Sequence, residues 1–444
     1  MIINDIMNSL FKIKKSFVIH PFLFAFFPFL FLFSHNLGHI YLYQIIIPTS
    51  FTIIVTIILF LSLIIIIGDS KKAGIIVSIG LILFFSYGHI YDLIKAWQIN
   101  KGLENLHVHR YLLFTWFLIF VYVIFISLKV KNRFFRLTKA LNFGSLFLFI
   151  NPIILIGIYV YHNNTGFTKS TTNGEVPIEK RDFRDINSFP DIYYIIPDGH
   201  ASSKTLIDYF NYDNSDFTDF LINKGFYIAN ESQANYMMTP TSLSSSLNID
   251  YLPIDYDSNR LNIKNNKVVR FLKSLGYKYI HFSSGWSHTD HNVFADINIK
   301  CGPIDEFLMI LIPTTILKVI DTKSNILKSK LRDKVLCAFS KLTQLDKLIG
   351  PKFVFAHLET PHPPYVFGVN GETVPSTDIS MISWAPKEAY LNQLIFTQNK
   401  LKDVVNSIFE KSTNPPIIII QSDHGPATTF SNAEDPLSYP PDST

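Results

Sequence analysis

The chain has 444 residues, 48% of them hydrophobic and 40 of them phenylalanine, with a formal net charge of only +4. So small a charge over this length supplies no basic surface, so no nucleic-acid partner is expected. The apolar excess is uneven: apolar runs dominate before about Tyr161, and from Thr165 onward the composition is that of an ordinary globular protein.

A helix that crosses a membrane needs about 20 mainly apolar residues. Five stretches qualify: Ser16–Ser34, Ile45–Ile67, Ala73–Ile90, Tyr111–Leu128 and Phe143–Tyr161. The first is a long apolar run with no small-residue cleavage site after it, so it reads as a retained span and not as a signal peptide. The third is the least regular, since it runs into His89 and Asp92. Pro28 and Pro152 lie inside spans, where neighbouring helices can satisfy the freed backbone groups.

Basic loops set the orientation. Lys12, Lys14 and Lys15 precede the first span, Lys71 and Lys72 follow the second, and Lys129, Lys131, Arg133, Arg136 and Lys139 follow the fourth. Five crossings put all of them on one side, the cytoplasmic one, with Lys95, Lys101 and Arg110 on the other. The expectation is a multi-pass protein of the cell (inner) membrane, with residues from His162 onward outside the cytoplasm. His35, His39, His89, Asp92, His107, His109 and Arg110 then gather at the outer ends of the spans. The plain reading is interfacial residues that snorkel or cap helices. The sharper reading is a site for an anionic lipid headgroup, or a docking surface for the domain above.

Residues 162–189 contain Asn, Thr, Gly, Lys, Glu and Asp with few large apolar side chains, and read as a linker. The predicted organisation is therefore a transmembrane domain over 1–161, a linker over 162–189 and an extracytoplasmic domain over 190–444. In that last domain short apolar strands alternate with helices. Strands are expected at Asp191–Pro197, Tyr277–Ser283, Lys352–Leu358 and Pro416–Gln421. Helices are expected at Ser203–Phe210, Ser215–Lys224, Thr241–Asn248, Lys264–Leu275 and Lys387–Lys411. Continuous apolar strands between helices predict an α/β domain with a mainly parallel sheet covered on both faces. In such sheets function gathers beyond the carboxyl ends of the strands. Cys301 and Cys337 form no CxxC motif; one disulfide and two buried thiols both fit, the thiols being preferred.

Three strand ends carry hard ligands: Asp198, His357 with His362, and Asp423 with His424. Asp198 follows the first strand in PDGH, and Asp423 and His424 follow the last in SDHG. Oxygen and nitrogen donors of this kind suit Zn²⁺ or Mn²⁺. Taken singly, each is as compatible with a turn or cap; together on one edge they favour a metal site. Thr239, before Pro240 and a run with helical potential, reads as an N-cap with proline at the first helical position. A hydroxyl there, beside a divalent cation and a helix N-terminus, is a candidate nucleophile toward phosphorus. Thr241 and Ser242 compete for that role. His362, in TPHPPY past the Lys352–Leu358 strand, is a candidate to bind the substrate's phosphate or a second metal, whereas His357, within the strand, reads as a packed core histidine. His281, His288, His291 and Trp286 form a further polar cluster, read as loop residues.

The order PDIYYIIPDG, NYMMTPTSLSSSLN, FAHLETPHPPY, IIIIQSDHG resembles the membrane-bound sulfatase-like branch of the alkaline phosphatase superfamily, which includes lipoteichoic acid synthases and phosphoethanolamine transferases. That resemblance implies five spans with an outer catalytic domain of alkaline-phosphatase-like fold. It implies a metal site of Asp198, Thr239, Asp423 and His424, with Thr239 forming a phospho-threonine intermediate and His362 contacting substrate. The activity implied is a metal-dependent transferase or hydrolase that moves a phospho-substituent from a membrane phospholipid to an envelope glycan or lipid. The chain departs from true sulfatases, which carry Cys or Ser in a C/S-x-P-x-R motif, so sulfate-ester hydrolysis is not implied. It also has only 19 residues after Gly425, where the family continues with more strand and helix, which implies a shortened or rebuilt carboxyl end. A catalytically degenerate scaffold of envelope assembly is the alternative; a carrier is disfavoured by the lack of charged residues mid-span.

Overall fold

The computed structural model describes residues 17–37, 40–102, 107–130, 134–167, 189–252, 262–374, 384 and 387–427. His39, linker residues 168–188, and Lys12, Lys14, Lys15, Lys131 and Arg133 of the basic loops lie outside the described residues. The chain divides into two compact units: Met1–Lys169 with Phe307–Ser324, and Ser170–Glu306 with Asn325–Thr444.

Among the described residues of the first unit, four helices are long and apolar enough to cross a membrane: Leu42–Ile67, Ser70–Asn100, Val108–Lys129 and Phe134–Tyr161. The predicted first span is the shorter apolar helix His20–His35, of 16 residues. The turn between the first two long helices is set locally. Gly68 ends one in the left-handed region (φ 75), where a side chain would be strained. Asp69 starts the next by accepting the Lys71 and Lys72 amides. The helices turn bulky apolar side chains outward: Ile65 is 83% exposed, Phe143 73% and Phe51 68%. Water disfavours such a surface and a lipid phase accepts it. Some inward polar groups tie the helices together. Asn142 Oδ1 accepts the Ile19 and His20 amides, and His20 Nδ1 lies 2.6 Å from Ser78 Oγ.

The second unit is built on five parallel strands: β1 (Ile192–Pro197), β2 (Lys278–Ser283), β3 (Ile297–Lys300), β4 (Lys352–Leu358) and β5 (Ile417–Ile420). Their order is β3-β2-β4-β1-β5. The central β4 is buried along its whole length, which is why its middle, Phe353–Ala356, reads as a continuous apolar run. One face packs Tyr194, Ile196, Leu243, Leu272, Phe353 and Phe355. A separate cluster joins Leu206, Phe210, Tyr365, Tyr390 and Leu394. At the amino end of the sheet Lys352 Nζ lies 2.5 Å from Asp191 Oδ2, and the Lys352 amide also bonds that carboxylate. These bonds fix the β1–β4 register that pairs Ile196 with His357 and Pro197 with Leu358.

Two parts of the sequence reading change. The stretch between Ser284 and Pro351, left without elements, holds β3 and the helices Glu306–Thr314, Lys318–Ser324 and Ile326–Leu342. β3 is a four-residue strand, INIK, too short and too polar to give a strand pattern. Cys301 and Cys337 are a disulfide and not two buried thiols. Their Cα atoms lie 5.7 Å apart, within bridging range, because Cys301 directly follows β3 and Cys337 lies on the helix Ile326–Leu342.

The bond closes a sequence separation of 36 residues. Replacing both cysteines by serine is expected to cost about 2–4 kcal/mol of stability, read as a lowered denaturation midpoint. Unreduced protein, unfolded and alkylated, is expected to take up no label; labelling of either cysteine would contradict the cross-link.

Candidate metal centre

β1, β4 and β5 end at one edge of the sheet. β5 pairs with β1 as Ile195 with Ile420, and carrying that register three residues on places Asp423 beside Asp198. The turns beyond the strands are locked to one another. The Asp198 amide donates to Leu358 O, the Gly199 amide to Asp423 Oδ1 (3.2 Å), and the His200 amide to Ser422 Oγ. Ser422 Oγ bonds back to Pro197 O and His424 O. Asp198, Asp423 and His424 are all buried. One ligand atom from each lies within 4.8 Å of the others.

Thr239 Oγ1 stands 3.2 Å from His424 Nε2. Its role as a helix cap is corrected: the cap is Met238, and Thr239 is the first residue of the helix Thr239–Asn248, with Pro240 after it. The hydroxyl is thereby free of capping and turned to the centre. Its two competitors are spent on backbone: Thr241 Oγ1 donates to Met238 O and Ser242 Oγ to Asp423 O. The Ser242 bond ties this helix to the Asp423–His424 turn.

His357, read from sequence as a core residue, is buried but belongs to the centre. Its Nε2 lies 3.4 Å from Asp198 Oδ2 and 3.9 Å from Asp423 Oδ2. Its Nδ1 lies 2.8 Å from Thr289 Oγ1, which orients the ring. The sequence signal was available: position 357 follows the β4 apolar run one residue before the strand end, level with Ile196, two residues short of Asp198. His362 also reaches the site, its ring 6.5 Å from that of His424. Trp384 was not foreseen at all. Its indole lies 4.8 Å from the His362 ring and 6.2 Å from the His424 ring. It occupies the space over Gly199, where a Cβ would come within 2.5 Å of it. Tyr365 OH holds the Trp384 carbonyl. Of the further cluster, His281 lies in β2 and not in a loop, and it serves the core: both its ring nitrogens bond within the fold, to Tyr279 OH and to the Thr289 and Asp290 carbonyls, while the Trp286 ring lies 6.3 Å from that of His357.

Asp198 Oδ1, Asp423 Oδ2 and His357 Nε2 are buried with no hydrogen-bond partner. The two oxygens lie 3.6 and 3.5 Å from His424 Nε2 without hydrogen-bonding to it, and a cation would offset the cost of burying both. Two carboxylates, an imidazole and a hydroxyl form a donor set that fits a divalent metal. The electrostatics of the protein alone agree. Burial raises the Asp198 carboxyl, but His362, His357 and His424 outweigh it and hold the group below the usual carboxylate range. Burial lowers His424, and Asp423 and Asp198 outweigh that and raise it. His357 is raised against its burial by the same two carboxylates, Asp198 first. The histidines stand in for positive charge that a metal would supply.

No protein-family model matches the chain, and neither does any curated protein or solved structure. The site therefore rests on its own geometry.

Ligation requires neutral His424, and its raised pKa extends proton competition above the ordinary histidine value of about 6.5. Cation affinity is expected to climb as pH rises through and beyond that value, and to fall as His424 protonates below it. Metal titrations between pH 5.5 and 8.5 check this; an affinity flat across that window would contradict it.

Proposed function

We propose that the sheet unit is a metal-dependent phosphoryl-substituent transferase or phosphate-ester hydrolase, of the sulfatase-like, alkaline-phosphatase type, working at the outer face of the membrane. The observation that carries this is the hydroxyl of Thr239, buried and 3.2 Å from His424 Nε2, beside two carboxylates that each keep one oxygen free of hydrogen bonds. A bound divalent cation, Zn or Mn, would lower the pKa of that hydroxyl and offset charge on the phosphoryl oxygens. Asp198, Asp423, His424 and Thr239 would hold it.

The chemistry assigned to the side chains is a double displacement. Thr239 Oγ forms a bond to phosphorus while the ester bond to the leaving group breaks, and the proton of Thr239 passes to the departing oxygen. An acceptor hydroxyl or water then attacks phosphorus, the bond to Thr239 Oγ breaks, and the acceptor's proton restores the Thr239 hydroxyl. The amino end of the helix Thr239–Asn248 directs unpaired N–H groups toward an anion. His362 contacts the phosphoryl oxygens. The four helices able to cross a membrane favour a phospholipid as donor and an envelope glycan or lipid as acceptor. His20–His35 would complete five crossings, with the sheet unit extracytoplasmic.

Replacement of Thr239 by alanine is expected to lower turnover of a phosphodiester such as a bis-aryl phosphate by about 10³-fold or more, while serine retains measurable activity. Quenched reactions should show a phosphoryl adduct on Thr239 by mass spectrometry. Unchanged turnover in the alanine variant would overturn the assignment.

A further inference from the structure

The helical unit includes a piece of chain from the middle of the polar region, Phe307–Ser324. Its sequence, FLMILIPTTILKVIDTKS, is apolar for a segment flanked by sheet elements. It is too short to cross a membrane. It is fixed to the helices by several independent contacts. Phe307 and Leu311 are buried with Phe29, Ile40 and Ile45. The Ile316 amide donates to Phe84 O. Val319 packs with Tyr87 and Leu112. At Gly88 the backbones meet so closely that a Cβ would stand 2.0 Å from Pro313 O. Lys318 pairs with Asp92 and lies over the Tyr91 ring, at 5.0 Å. Asp92 thus gains a partner from within the helical unit.

The base of this segment is closed covalently. Cys301, ahead of it, and Cys337, beyond it, are bonded inside the sheet unit. The Glu306 amide donates to Gly285 O at the point of departure. Segment and base together form a loop whose tip lies among the helices and whose root is stapled to the sheet unit. Two large apolar side chains of the segment, Leu317 and Ile320, remain 38% and 53% exposed. They share a unit with the outward apolar side chains Leu93 and Phe114, and Lys318, Asp321 and Lys323 stand beside them in sequence. An apolar surface edged by charge is the pattern of a segment seated at the level of lipid headgroups and upper acyl chains.

We propose that residues 307–324 are a second membrane anchor, which holds the sheet unit to the bilayer independently of the linker and places Leu317 and Ile320 in the acyl layer. The sheet unit is then not a tethered ectodomain that a single cut would free. This inference stands on packing in the helical unit and owes nothing to the proposed chemistry.

The test uses the full chain in membranes, with a protease site inserted between residues 170 and 188. After cleavage and a high-salt wash, at least nine-tenths of the sheet unit is expected in the membrane pellet. Gly88→Leu, which leaves the segment's own sequence intact, and the double variant Phe307→Asp with Leu311→Asp are both expected to move most of it to the supernatant after the same cut. Release of the wild-type unit would overturn the proposal, as would retention in both variants. Labelling gives a second readout that needs no disruptive substitution. With both native cysteines bonded, Leu317→Cys and Ile320→Cys are expected to react with a membrane-impermeant maleimide at least tenfold more slowly in vesicles than Ile222→Cys, an exposed position of the sheet unit. Equal rates would contradict seating in lipid.

Discussion

Two carboxylates, Asp198 and Asp423, are buried side by side at the ends of adjacent parallel strands, and much of the sheet unit is organised around that placement. Burying one such charge without compensation costs several kcal/mol, and burying two together costs more. The protein meets the cost in part. Gly199 donates its amide to Asp423, and three histidines approach Asp198 from separate strand ends and loops. One oxygen of each carboxylate is still left without a hydrogen-bond partner. A pocket that gathers two carboxylates and leaves an oxygen of each free of hydrogen bonds could hold a cation.

The constraint extends outward from the pocket. The Asp191–Lys352 pair fixes the register of β1 on β4, and so fixes where His357 meets Asp198. Ser242 ties the Thr239 helix to the Asp423 carbonyl, so a direct hydrogen bond links the element that carries the candidate nucleophile to the turn that carries two candidate ligands. Trp384, held by Tyr365 and fitted over Gly199, forms an aromatic wall beside His362 and His424. These supports lie in separate stretches of the chain, which the parallel sheet brings together.

What the sequence made legible follows from what it encodes locally. β1, β2, β4 and β5 are apolar runs bounded by turn residues, and each was readable because burial on both faces leaves no polar alternation to confuse the pattern. The long helices were readable by length alone. Asp198, Asp423, His424, Thr239 and His362 were readable because short motifs mark the ends of those strands. The remainder depends on tertiary placement. His357 looks like any core histidine until β4 is set beside β1. Thr239 looks like a cap until the helix start is fixed at Met238. The Cys301–Cys337 bond needs the helix Ile326–Leu342 to lie over the end of β3. The segment 307–324 is apolar but short, and its place among the helices is a matter of packing that no periodicity expresses.

The central claim is that Asp198, Asp423 and His424 hold a divalent cation. The most direct test is the metal content of detergent-purified protein measured by elemental analysis, wild type beside Asp423→Ala, with correct folding of both checked by thermal unfolding. The account predicts close to stoichiometric divalent metal in the wild type and its loss in the folded variant. Wild-type protein that binds no metal even after incubation with Zn²⁺ or Mn²⁺, or a variant that retains as much metal as the wild type, would contradict it.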